Sequence, residues 1–297
     1  MKNNEKVIEI CLPHFNLKRI SNDILQGIKD IVIYQRFEDN RIYSLDFLKD
    51  VQGIENIESL RIVANCSSFT FLEFFSNLNK LSIGNGKTIQ KIDLSKLLKL
   101  KALNVAGEFD VQGIEQLHLE SVSVSDAQCF PFEKLQDGIK ELYLRNVKVE
   151  FKQISHIKSL CKLEIVQVKN ESFRGINFNN IESVSIAYCP KLSDYSFLTQ
   201  CKKVKYMELE KCRNISAELL GELVSIEKLI LIDCGEIESL GFIHNLQSLK
   251  FFTFWGTTVL SGDLTPCLKL EYAATNSKKS YNLKDKDLPK NLHGSVL

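Results

Sequence analysis

One spacing recurs along the chain: apolar, two residues, apolar, one residue, apolar. Ile57-Glu-Ser-Leu60-Arg-Ile62 is one instance, and Ile139-Lys-Glu-Leu142-Tyr-Leu144, Ile181-Glu-Ser-Val184-Ser-Ile186 and Ile226-Glu-Lys-Leu229-Ile-Leu231 are others. Most instances stand 21 to 25 residues apart. A unit that short cannot bury its own apolar face, so it is stable only when copies stack on one another. This constrains the chain more than its length of 297 residues does, because a stacked array has no preferred size.

Aligned on the first apolar position, copies begin at Ile28, Ile57, Leu78, Leu100, Ile114, Ile139, Leu160, Ile181, Val204, Ile226 and Leu249, with a weaker one at Cys267. The middle of each copy alternates apolar and polar, which is strand periodicity. The fourth and sixth positions are expected to point into the core, and the third, fifth and seventh onto an open face. A second apolar cluster follows, such as Phe71, Phe75 and Leu78, or Phe197 and Leu198. It predicts a return arm made of a short helix, a 3₁₀ turn or a loop. The step from Ile28 to Ile57 is long and holds an insertion from Arg36 to Val51. The step from Leu100 to Ile114 is short and leaves little room for a helix.

The pattern resembles that of the leucine-rich-repeat family, L-x-x-L-x-L-x-x-N/C-x-L, over residues 28–272. The short period is similar to the class found in bacterial internalins and in a eukaryotic phosphatase regulator. Cys189, Cys212 and Cys234 stand at the ninth position and resemble a cysteine-containing class, while Asn65 fills that position in the copy from Ile57. Elsewhere it holds Arg36, Gly86, Glu108, Val122, Val147, Val168 and Thr257, so a regular asparagine ladder is absent. The resemblance implies an α/β solenoid. It would be a curved array with a parallel concave β-sheet and short helices, 3₁₀ turns or loops on the convex side. Strands ~4.8 Å apart put twelve copies over roughly 55 Å. The expected organisation is an N-terminal cap over 1–27 with a strand at Val7 to Leu12, an array of about twelve repeats over 28–274, and a segment over 275–297. That last segment is either a closing cap through Tyr281 and Leu283 or a loose tail.

Composition bears on partners and compartment. Basic and acidic residues number 38 and 37, a net charge of +1. No basic stripe marks a nucleic-acid partner, and no apolar run reaches the 18 or so residues of a membrane span. The N-terminus lacks the apolar core of a secretory signal. Nine cysteines form no paired framework. Reduced thiols and a cytoplasmic location are therefore expected.

Candidate chemistry is sparse. Cys189, Cys212 and Cys234 should stack in consecutive repeats as buried structural thiols. Metal ligands must converge within ~2.3 Å of one ion, whereas a repeat translates equivalent atoms by a strand spacing, so no metal is expected. Cys11-Leu-Pro-His14 has a ligand-like spacing but no second pair. The five histidines, His14, His118, His156, His244 and His293, fall in no catalytic motif. Gly84-Asn-Gly86-Lys87 is too short for a phosphate loop and reads as a turn. His118 and Glu120 land at fifth and seventh positions, as a ligand contact or as a solvated pair. Neither end leaves room for an appended catalytic domain. No enzyme activity and no cofactor are expected.

The open face is more informative. Its N-terminal half is mostly small or polar. Toward the C-terminal end it should carry Tyr206, Ile230, Ile232, Phe251 and Trp255, with Tyr188 at the edge, among Glu164, Glu208, Glu210 and Asp233; Tyr143 and Arg145 precede them in the same columns. An exposed apolar cluster rimmed by charge marks a protein-binding patch. The alternative is that a return loop or the tail folds over it. The expected function is a non-enzymatic protein–protein interaction scaffold whose acidic rim suits a basic partner. The degenerate repeats, with no export or anchor motif, resemble leucine-rich-repeat immunity proteins that neutralise cognate toxins. The partner implied is then a basic toxin domain. The other readings are an effector that binds a host protein and a regulatory or substrate-recruiting adaptor. The cysteine-containing repeats resemble those of ubiquitin-ligase receptors, but about 27 residues before the array are too few for a separate adaptor-binding domain.

Overall fold

A computed structural model describes residues 6–84 and 89–291. The chain divides into two compact units, one of Met1–Tyr143 with Val147–Val149 and one of Leu144–Asn146 with Glu150–Leu297. The first unit holds β1 (Val7–Leu12), β2 (Asp30–Gln35), β3 (Ser59–Val63), β4 (Lys80–Gly84), β5 (Gln90–Asp93), β6 (Ala102–Ala106), β7 (Phe109–Gln112) and β8 (Ser121–Ser125). Its parallel ladder runs β1-β2-β3-β4-β6-β8, and β5 pairs β7 in a separate two-stranded sheet. The strand β9 (Glu141–Arg145) gives its first three residues to this unit and its last two to the next. The second unit holds β10 (Lys162–Val166), β11 (Ser183–Ala187), β12 (Tyr206–Glu210), β13 (Lys228–Ile232), β14 (Glu236–Ile237), β15 (Phe251–Trp255), β16 (Thr258–Val259) and β17 (Tyr272–Thr275). Here the parallel ladder runs β10-β11-β12-β13-β15-β17, and β14 pairs β16.

Each ladder is an α/β solenoid, with one strand per copy of the motif. Register shows why the motif has its spacing. Leu60, Leu81, Leu103 and Val122 are partners across β3, β4, β6 and β8, and so are Ile62, Ile83, Val105 and Val124. These are the fourth and sixth positions, and all are buried. In the second unit Leu163, Val184, Met207, Leu229 and Phe252 continue in the same way. A slip of one residue would turn each of these side chains to the open face. On the return arms, Phe178 stacks on Phe197 with ring centroids 5.1 Å apart, and Phe173 meets Phe197 at a tilt with centroids 5.2 Å apart. The arms are mostly 3₁₀ turns. Several begin where a carboxylate accepts a backbone N–H two residues on: Asp93 from Ser95, Asp194 from Ser196 and Asp263 from Thr265, each at 2.9 Å.

Two copies are phased differently from the expectation. The strand β8 pairs β6 with Val122 opposite Leu103, so its copy starts at Leu119 rather than Ile114. Ile114–Gln116 is instead a 3₁₀ turn entered through Gly113 at φ 74°. A Cβ on Gly113 would lie 2.5 Å from the Ser95 backbone nitrogen, so the preceding turn fixes this corner. The step from Leu100 is therefore nineteen residues, filled by β7 and that turn, and Ala127 replaces Val122 at the ninth position. Likewise β17 pairs β15 with Tyr272 opposite Phe251, so the last copy starts at Leu270. Cys267 lies within a 3₁₀ helix, Thr265–Lys269, that Pro266 helps to start. Most of the Gly84-to-Lys87 turn, and His293, lie outside the described residues.

After each strand from β8 to β13 the chain leaves through a left-handed residue. These are Asp126, Asn146, Gln167, Tyr188, Lys211 and Asp233, with φ between 47° and 57°. Gly107 and Gly256 hold the same position after β6 and β15. A non-glycine residue there costs roughly 1–2 kcal/mol. The conformation aims the backbone N–H at the carbonyl that ends the following strand: Tyr188 to Glu210 at 3.1 Å, Lys211 to Ile232 at 2.8 Å and Asp233 to Trp255 at 2.8 Å.

Both ladders have covered ends. Next to β1 lies helix α1 (Leu17–Leu25), capped by the Asn16 side chain, with Ile20 and Ile24 buried. At the other end Lys290 forms an antiparallel bridge to Tyr272. Pro289 accepts from the Ala273 N–H at 2.9 Å, and Glu271 accepts from Asn291 at 3.0 Å. Within this tail Tyr281 and Leu288 are buried, while Leu283 is half-buried. One short helix, α2 (Ala217–Leu220), replaces a 3₁₀ arm in the second unit.

Candidate protein-binding face

In the second unit the third, fifth and seventh positions form three rows across the ladder. The third-position row reads Tyr206, Lys228, Phe251 and Tyr272 in register. The fifth reads Glu208, Ile230, Thr253 and Ala274, and the seventh Glu210, Ile232 and Trp255. Parallel strands carry no curl of chain between these side chains, so the rows lie ~4.8 Å apart strand to strand. Ile230, Ile232 and Phe251 are half-buried by one another, and Trp255 stays 45% exposed. The tail covers Ala273, Ala274 and Thr275 and leaves Trp255 open. Tyr272 adds to the aromatic surface, its ring 6.4 Å from that of Phe251. The sequence phase that placed Cys267 first hid this residue.

The carboxylates are held by neighbours. Glu164 pairs Lys162 at 2.7 Å. The Tyr206 hydroxyl donates to Glu208 at 2.6 Å, and Lys228 sits 5.5 Å over the Tyr206 ring. Burial first, and then the Glu208 hydrogen bond, push the Tyr206 phenol well above its ordinary range. Tyr188 is 41% exposed. Its phenol is raised by its hydrogen bond to Glu210, and Lys211 stacks 4.4 Å over its ring. Asp233 is exposed at the left-handed exit after β13. Tyr143 is half-buried and belongs to the first unit; Arg145 is exposed on β9 and belongs to the second.

Beneath the strand ends Cys189, Cys212 and Cys234 are buried in consecutive repeats. The Cys234 thiol donates to Leu209 O at 3.1 Å and to Ile232 O at 3.4 Å; Cys212 reaches Ile186 O and Glu210 O at 3.7 and 3.6 Å. Thr257 continues the column, its hydroxyl accepting from Cys234 N at 3.0 Å. Burial pushes all three thiols up. Among the described residues no group of three or more His, Cys, Asp or Glu side chains is placed to hold a metal ion. Glu120 does not pair with His118. It precedes β8 and binds Lys140 at 2.8 Å and Lys101 at 3.7 Å, so both lie off the open-face columns. Among the described residues no helix is long and apolar enough to cross a membrane.

No family model and no curated protein matches the sequence. Among solved structures, similarity is found to an internalin of Listeria monocytogenes, at 16% identity over 77% of this chain and 79% of that one, with a TM-score of 0.49. A second internalin of that organism, internalin C2, is similar at 15% identity over 68% and 82%, with a TM-score of 0.45. A leucine-rich-repeat protein of Leptospira interrogans is similar at 14% identity over 85% and 80%, with a TM-score of 0.44. None of the three reaches 0.5, and the fold rests on this chain's own strand registers.

Proposed function

We propose that this leucine-rich-repeat solenoid is a non-enzymatic scaffold that binds a partner polypeptide on the open ladder face of its second unit. The observation that carries the reading is Trp255, exposed beside Ile232 and Ile230 on strands fixed by parallel pairing. A surface already held in place loses little conformational freedom on association. Tyr206, Phe251 and Tyr188 extend the contact, and Glu164, Glu208, Glu210 and Asp233 surround it with negative charge that favours a basic partner. Arg145 on β9 is a further contact residue in this proposal, whereas Tyr143 belongs to the first unit and is left out of the face. Cys189, Cys212 and Cys234 have a structural role, since their thiols are spent on backbone carbonyls.

Within that class we propose a cytoplasmic immunity protein that neutralises a cognate toxin with a basic domain. The support is the combination of degenerate repeats with an apolar centre ringed by carboxylates. The test is capture: the tagged chain is retained from native lysate, the bound polypeptide is identified, and complex formation with the product of the adjacent gene is measured. A tight one-to-one complex is expected. Absence of any complex with a neighbouring product removes the immunity reading, and capture of an unrelated protein replaces it with the adaptor or effector reading.

A further inference from the structure

The first unit carries a cleft of about 890 Å³ along the C-terminal ends of its strands. Small residues form part of its lining. The seventh position holds Gly84 in β4 and Ala106 in β6, where longer side chains would fill the space. The cleft is lined from β2 to the exit of β8, which is five ladder strands. Four spacings of ~4.8 Å make it roughly 19 Å long, the reach of about six residues of extended chain at ~3.3 Å each.

One wall is the segment inserted after β2. Phe37 is fully exposed there and Ile42 is 69% exposed; Val63 on the floor is 50% exposed. Apolar side chains gathered in one recess and left open to water call for a partner. The wall is rigid. Arg41 grips the Asp39 carboxylate in two bonds of 2.9 Å, and the Tyr43 hydroxyl donates to it as well. The Gln35 side chain holds the Asp39 carbonyl. Tyr43 is in turn tied to the next repeat by Tyr43 N to Asn65 O at 2.8 Å and Ser67 N to Tyr43 O at 2.9 Å.

The lining also has an unmet demand for donors. Gln90 Oε1 and Glu108 Oε2 are shielded from water and have no hydrogen-bond partner among the described residues. The Gln90 amide nitrogen is committed to Cys66 O, and the other Glu108 oxygen accepts from Gln128 N at 2.7 Å. Both orphan atoms are acceptors, and an unsatisfied buried acceptor is unfavourable, more so on a charged group. Both belong to half-exposed side chains whose terminal torsions are soft. Among the described residues the charged side chains of the lining are Arg36, Asp39, Glu108 and Asp126; with Asp39 paired to Arg41, the two carboxylates Glu108 and Asp126 face one Arg36.

We infer that this cleft binds an extended polypeptide segment of about six residues that places an arginine or lysine next to a large apolar side chain. The base meets Glu108 and Gln90, and the apolar side chain packs on Phe37 and Ile42 over Val63. This goes beyond the ladder-face reading, and its test does not depend on that face binding anything.

The test probes the full-length chain with an arrayed hexapeptide library, followed by fluorescence polarisation of the strongest peptide. Selection of peptides that pair Arg or Lys with a neighbouring Leu, Phe or Trp is expected. Phe37→Ser and Glu108→Gln should each weaken the selected peptide about tenfold or more, citrulline in place of its arginine should do the same, and Trp255→Ala should leave it unchanged. Phe37 is fully exposed, so its variant folds and decides the matter if Glu108→Gln does not. The inference is overturned if no peptide is selected, if the selected peptides lack a base, or if binding ignores Phe37→Ser. A concentration-dependent dimer abolished by Phe37→Ser also overturns it, because a second copy of the chain would then be the occupant.

Discussion

A methyl group on Gly256 would lie 1.8 Å from Oδ1 of Asp233, one repeat earlier. Gly256 stands at φ 65°, and its N–H is held by the Asn276 side chain at 2.7 Å. The Asp233 side chain thus occupies the space that any Cβ at the next exit would need. Gly256→Ala should lower stability by about 2 kcal/mol, read from urea unfolding, from left-handed strain and displaced Asp233 together. Asp233→Ala in the same chain should restore the part due to the clash. Equal losses with and without Asp233 would show that backbone strain alone acts.

Trp255→Ala and Tyr206→Ala should each weaken the partner complex by ~2 kcal/mol or more if both are central contacts. The unfolding midpoint separates the two. Trp255 is open to water, so its truncation leaves stability nearly unchanged. Tyr206 is half-buried and bonded to Glu208, so its truncation also lowers stability. Unaltered affinity in both variants, measured by calorimetry, would place the interface elsewhere.

The cysteines should sort by burial under a thiol reagent. Cys129 and Cys161 are exposed and should react at once in the native chain; Cys66, Cys189, Cys201, Cys212, Cys234 and Cys267 are buried and should react only on unfolding. Burial raises Cys66, Cys201 and Cys267 to about 12 in the folded chain. An unfolded thiol titrates near ~8.5. The folded state therefore holds these protons more tightly. Its full contribution is present below about 8.5 and is lost as pH rises through about 12. A denaturation midpoint that stays flat over that window would contradict the burial.

Asp39 behaves in the opposite sense. Hydrogen bonds from Arg41 and Tyr43 hold its carboxyl well below the usual carboxylate range. Its hold on the inserted segment is complete above the ordinary range and is lost only as pH falls beneath it. Asp39→Ala should release that segment at neutral pH, seen as faster amide exchange at Tyr43 and new proteolysis between residues 36 and 43. Unchanged protection would mean that the pairing of Tyr43 with Asn65 and Ser67 suffices by itself.

The ladder was legible where the motif met no rival. Ile62, Ile83 and Val105 stand two residues after Leu60, Leu81 and Leu103, with Arg61, Ser82 and Asn104 between, and their burial follows from period two alone. It was not legible where two phases fit equally. Ile114-Glu-Gln-Leu117-His-Leu119 and Leu119-Glu-Ser-Val122-Ser-Val124 have the same pattern, and the choice is made by the distant contact between Gly113 and Ser95. At the last strand the apolar pattern fades because Ala273 and Thr275 are sealed by the tail rather than by another repeat. The left-handed exits left only a partial signal, Asp126, Asn146 and Asp233 being residue types that tolerate the conformation, whereas Tyr188 and Lys211 adopt it for the cross-repeat hydrogen bond. The cleft of the first unit had a signal in the small residues Gly84 and Ala106 beside an insertion carrying Phe37. Its depth follows only once β4 and β6 are paired.

Ending the chain after Thr275 should expose the last strand's backbone and strip the cover that buried Tyr281 and Leu288 provide, each side chain worth about 1.5–3 kcal/mol. A lower urea midpoint and growth of light scattering with concentration are expected. An equally stable, monomeric truncation would show that the tail is dispensable.

Because the stretch at Pro289 to Asn291 meets Tyr272 head to tail, the final seam has a different hydrogen-bond geometry from every parallel seam before it. A copy of the repeat spliced in after Thr275 would find its template already occupied. Lengthening of such a chain, by gene duplication or by an engineer, has to happen at interior joints. The matching exits at Lys211 and Asp233 are where one module can be cut out or doubled without disturbing the stop.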